Sequence, residues 1–210
     1  MRTLRFLFLL CALGAEPLAA QMQHANASPM SAADLRVALN QLLAEHATLA
    51  ASATGAALGG RQQEFTDAAA ALDANSVALS KAIGSVYGAD AEAAFLPLWR
   101  RHIGMFVDYT VATAKKHQAG QEKAVNDLIG YSQTFAAFLN SANPNLPIPA
   151  VTDLVKSHVV SLKAVVDAQA AKDTKTAYAK LREASAHMQM IADPLAAAIA
   201  KQFPQKFAMR

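Results

Sequence analysis

The chain has 210 residues, 19 Lys and Arg against 16 Asp and Glu, a formal charge of +3 and 53% apolar residues. Its one cysteine, Cys11, lies near the N-terminus. That leaves no disulfide framework, thiolate metal site, cysteine nucleophile or covalently attached haem for the rest of the chain. Basic residues are scattered, with Arg100-Arg101 and Lys115-Lys116 the densest groups, and no aromatic-laced basic stripe exists, so nucleic acid is not an expected partner.

Residues 1–20 read as a secretory signal peptide. Arg2 and Arg5 form a positive start, Leu4 to Leu13 an apolar run too short to span a bilayer, and Leu18-Ala19-Ala20 a small-residue cleavage site. A secreted or periplasmic protein is therefore expected, without Cys11 after cleavage. Residues 21–30 read as a flexible leader. No later run is apolar and long enough for a transmembrane segment in the mature chain.

The remainder reads as all-α. Ser31-Ala-Ala-Asp34 resembles a capping box ahead of Leu35, Leu39, Leu42, Leu43 and His46, which share one face at helical spacing. Gly59-Gly60 stop that helix. A second helix is expected over 62–86, closed by Gly88. A third is expected over 90–117, kinked or restarted at Pro97. A fourth covers 121–140, followed by a connection rich in Pro and Asn over 143–149. A fifth spans 150–171, and a sixth 174–203, bent or restarted at Pro194.

The chain also matches itself. Leu42-x-x-x-His46, Leu98-x-x-x-His102 and Leu154-x-x-x-His158 recur at 56-residue intervals. Ala68-x-x-x-Leu72, Ala124-x-x-x-Leu128 and Ala177-x-x-x-Leu181 follow, the last interval shortened by three. The expected architecture is a six-helix bundle over 31–204, built from three αα-hairpin repeats (31–88, 89–144 and 145–204), with a C-terminal tail at 205–210.

Chemistry centres on the histidines. His46, His102 and His158 hold the repeated position. His158 and His187 lie nearly equidistant from the turn at Lys172, so they should face each other. Folding back also brings Asp73 or Asn75 near His46 and Tyr131 near His102. Facing helices bearing imidazoles suit copper, zinc, iron or nickel, and Met188 and Met190 beside His187 favour copper. The predicted metal set is His46, His102, His158, His187, Met188, Met190 and Asp73. Non-covalent haem b between two histidines is a further possibility. The competing reading makes the histidines structural and the bundle a cell-envelope interaction protein that presents Phe95, Trp99 and Phe106 to a protein partner. Trp99 beside Arg100-Arg101 reads as an exposed cation–π group or an anchored helix start. No nucleophile elbow or phosphate-binding glycine loop supports an enzyme. An enzyme would need a pocket lined by Asp108, Tyr109 and a histidine.

The strings LDANSVALSKAIGSVYG (72–88), FLPLWRRHIGMFVDYT (95–110) and ADPLAAAIAKQFP near the end resemble an uncharacterised family of secreted bacterial alanine-rich helical proteins. Some relatives are labelled copper amine oxidase-like, which reflects a further domain that nothing here matches. The resemblance implies export and a helical fold, and assigns no active site.

Overall fold

Ser31 and Asp34 start the first helix as the sequence predicts. The Asp34 N–H donates to Ser31 Oγ at 3.1 Å, and the Ser31 N–H donates back to Asp34 Oδ2 at 2.9 Å. In this computed structural model, which describes residues 31–207, the helices are α1 (Ala32–Leu58), α2 (Gln62–Tyr87), α3 (Ala89–Ala114), α4 (Gln118–Ala142), α5 (Ile148–Ala170) and α6 (Thr174–Gln202). No strand occurs among the described residues. The expected signal peptide and leader, and residues 208–210 of the tail, lie outside them.

Three boundaries differ from expectation. Pro97 and Pro194 sit inside continuous helices instead of restarting them. Both are on the solvent face, where water can satisfy the carbonyl each proline leaves without a donor. Helix α4 begins before Gly120, so that glycine lies in its first turn rather than in the connection. The tail is not free from residue 205: Pro204–Lys206 form a 3-10 turn that seats Phe207 in the core at 7% exposure.

Each helix packs against its neighbours in chain order, and α6 packs back on α1, which closes a ring. The odd-numbered helices also touch one another, so α1, α3 and α5 form an inner triangle with α2, α4 and α6 around it. The three hairpin turns share one geometry. Arg61, His117 and Asp173 donate their N–H groups to the carbonyls of Ala56, Ala112 and Ala168. The preceding residues, Gly60, Lys116 and Lys172, adopt positive φ of 69°, 52° and 58°. This is the Schellman ending, in which a left-handed residue lets the chain turn back onto the last carbonyls.

Core residues on the inner helices fall into matched levels. Leu39, Phe95 and Val151 make one; Leu43, Trp99 and Val155 the next; Ala50, Phe106 and Leu162 a lower one, all buried. Members of each level are 56 residues apart. The correspondence is one of position, and the repeat itself stays an expectation. On the outer helices the expected shortened interval does not describe the packing. Leu72 and Leu128 are matched at the full 56 residues by Ala184, which is fully buried, whereas Leu181 is only half-buried. No helix among the described residues is long and apolar enough to cross a membrane.

Candidate metal centre

Between the levels of Trp99 and Phe106, the inner helices each contribute a histidine. His46, His102 and His158 are 1%, 4% and 5% exposed. Seven residues, two helical turns, separate each from the apolar level of Leu39, Phe95 and Val151. The same face that supplies core elsewhere therefore aims three imidazoles at the bundle axis.

One ligand-capable nitrogen from each ring lies within 4.8 Å of the others. Nε2 of His46 and Nε2 of His102 are 3.4 Å apart. Two nitrogens bound to one tetrahedral metal at ~2.0–2.1 Å stand ~3.3 Å apart, so this pair already has a metal-site edge. His158 completes the triangle, its ring centroid 5.9 Å from that of His46.

Aromatic rings brace the triad. Trp99 lies edge-on to His102 at 4.6 Å and 4.9 Å from His46, and Tyr131 stacks on His102 at 5.3 Å. Trp99 is thus 7% exposed and part of the core, not the surface cation–π group its arginine neighbours suggest. Phe95 and Phe106 are buried as well, at 3% and 5%. This removes the apolar face on which the docking reading relied.

The polar accounting singles out this level. Among the described residues, seven buried side-chain polar atoms lack a well-formed hydrogen bond: Nδ1 of His46, His102 and His158, Nε2 of His158, Trp99 Nε1, the Tyr131 hydroxyl and Asn75 Oδ1. Six of the seven belong to the triad or to the two aromatic residues in contact with it. Folded proteins leave few buried polar atoms unpaired, so a concentration at one place marks it as one that could hold a metal ion or another polar group.

Burial keeps all three rings neutral. Desolvation pushes His102 down to about 3, helped by His158 and opposed by the backbone of Trp99. It pushes His158 down to about 4, with His187 adding to the fall. It holds His46 well below its ordinary value, His102 and His158 contributing. Neutral imidazole is the form that binds metal, so protons offer little competition at physiological pH.

The remaining predicted ligands are placed differently. His187 stands behind His158 on α6, as the hairpin register predicts, but its Nε2–H donates to the Leu154 carbonyl at 3.0 Å. That bond ties α6 to α5 and makes His187 a positioning residue. Asp73 is exposed and forms a bidentate pair with Arg100 at 2.7 Å. Asn75, not Asp73, faces inward, and its amide donates to the Leu42 carbonyl and to Glu45. Asn75 and His187 thus grip equivalent carbonyls, each four residues before a triad histidine. Met188 is 1% exposed and borders, with His102 and His158, a void of about 30 Å³. Met190 is 58% exposed and away from the triad. Asp108 is exposed, and the Tyr109 hydroxyl donates to Asp167 at 2.5 Å.

Haem b does not fit. The cavities bordering the histidines hold about 70 and 30 Å³, far too little room for a macrocycle. Comparison with protein-family models, with curated proteins and with solved structures finds no match to this chain.

Proposed function

We propose that the bundle is an exported copper-binding protein that holds Cu(I) on His46, His102 and His158. The observation that carries the reading is the convergence of three buried, neutral imidazoles within 4.8 Å. The choice of metal follows from charge. No carboxylate belongs to the cluster, and the cost of burying an ion rises with the square of its charge. A monocation on neutral ligands is therefore far less costly here than uncompensated Zn(II). The thioether of Met188 beside the triad adds a soft, polarisable neighbour of the kind Cu(I) prefers. Zinc is the second candidate and would need a hydroxide or carboxylate to balance it. Export, from the signal-peptide pattern of residues 1–20, places the task outside the cytoplasm.

The test is anaerobic titration of the tag-free protein with Cu(I) against a chromogenic chelator. One equivalent should be held by the parent and by Met190→Leu, and lost in His102→Ala and His158→Ala. His187→Ala should bind the same equivalent more weakly. Retention of copper by the two triad variants, or none by the parent, would overturn the assignment.

A further inference from the structure

We infer that the apolar space beside the triad is a second binding site, for a diatomic ligand of the dioxygen class. That such a ligand also meets Cu(I) there rests on the copper reading; the space itself does not. Its volume is about 70 Å³, and it runs between α1, α2 and α3 from His46 and His102 outward. Ala50, Ala53, Leu72, Phe106 and Leu162 wall it. Val107 and Val111, 40% and 44% exposed, stand at its outer end.

Its shape comes from residue size. Where α1 turns toward this side it carries Ala50, Ala53 and Ala57, whose side chains end at Cβ and cannot fill the gap that Phe106 and Leu72 leave. The two threonines on the wall offer it nothing polar: Thr54 Oγ1 donates to Gln169 at 2.8 Å, and Thr110 Oγ1 to the Phe106 carbonyl at 2.8 Å. A water needs ~10–15 Å³ and two to four polar partners, and apolar cavities without such partners stay dry and take up xenon. The space has the room, and beyond the two histidines at its inner end its walls lack the partners. The two faces of the triad are therefore unlike. Trp99 packs against His46 and His102 on one side, and the other side opens on a passage suited to a small apolar molecule. Were Cu(I) held by the three histidines, this space is where a small π-accepting ligand would reach it from the side of His46 and His102.

The experiment has two arms. Metal-free protein is exposed to xenon and followed by xenon-129 NMR, beside Ala53→Leu, which fills the space, and Val107→Phe, which narrows its outer end at a surface position that tolerates change. The parent should show saturable xenon binding that Ala53→Leu abolishes and Val107→Phe slows; should Ala53→Leu fail to fold, the slowed exchange in Val107→Phe carries the test. Cu(I)-loaded parent is then treated with carbon monoxide and should show a bound C–O stretching band, lost in Ala53→Leu while copper stoichiometry is kept. No saturable xenon binding by the parent overturns the inference and leaves the copper assignment standing. Xenon binding in a protein that takes up no copper upholds the site and removes the copper reading instead.

Discussion

The level of Leu39, Phe95 and Val151 and the level of His46, His102 and His158 sit on the same three helices, two turns apart, equally buried. The first gains from burial. Its side chains have no polar atoms to satisfy, and Phe95 adds ring contacts with Trp99 and Phe135. The second loses by it, because imidazole nitrogens give up water and find almost no partners. A bundle that builds the apolar level so readily could build the histidine level the same way. The difference locates where stability is given up, and the copper reading supplies a reason for it.

Acid should separate the two levels most strongly. Folded His158 and His102 resist protonation down to about 4 and about 3, and burial holds His46 well below its ordinary value too, whereas the same histidines in the unfolded chain titrate near ~6.5. Above that value neither state carries the protons and stability is full. As the pH falls through it, only the unfolded chain takes them up, so the metal-free fold weakens. The loss is ~2 kcal/mol between pH 7 and 5 for each of His102 and His158, and His46 adds to it in the same direction. Urea unfolding at a series of pH values would show it; a flat profile would mean that the rings have polar partners after all. Bound Cu(I) should flatten the profile.

Truncating the apolar level comes next. Phe95→Ala should cost ~3–5 kcal/mol through the cavity it leaves, with copper stoichiometry unchanged under conditions where the variant folds. His158→Leu should do the opposite. It removes a ring whose two nitrogens are both unpartnered, so the metal-free protein should gain ~1–2 kcal/mol at pH 7 while losing its copper. If His158→Leu instead destabilises as Phe95→Ala does, the two levels are alike and the comparison fails.

Much of this was legible in the sequence, and the errors share a cause. The breakers, the capping box and the interval linking His46, His102 and His158 led to six helices and a converging triad. Hairpin register also placed His187 at the height of His158. Register fixes height and says nothing of rotation. Successive residues on a helix are ~100° apart, so positions two apart face nearly opposite ways. Asn75 therefore points inward where Asp73 meets Arg100, and Met188 points inward where Met190 meets solvent. The charged neighbours of Trp99 suggest a surface, although its spacing from His102 and Phe95 puts it on the buried face. The space beside the triad was invisible, since small residues on α1 read equally well as close packing.

The smallest expected effect lies at the turns. Gly60 takes its left-handed conformation freely, while Lys116 and Lys172 adopt it with a side chain, at φ of 52° and 58°. Lys116→Gly or Lys172→Gly should relieve up to ~1 kcal/mol, partly offset by the freedom glycine gains on unfolding. Thermal melts at fixed pH would resolve it, and copper binding should not change.

The most direct test of the central claim is X-ray absorption at the copper edge on Cu(I)-loaded protein. The account predicts three nitrogen neighbours at ~2.0 Å with imidazole outer-shell scattering, a signature absent from His158→Leu carried through the same loading. Copper surrounded by oxygen, or unaffected by that replacement, would show the metal elsewhere on the chain and leave the three histidines as core residues.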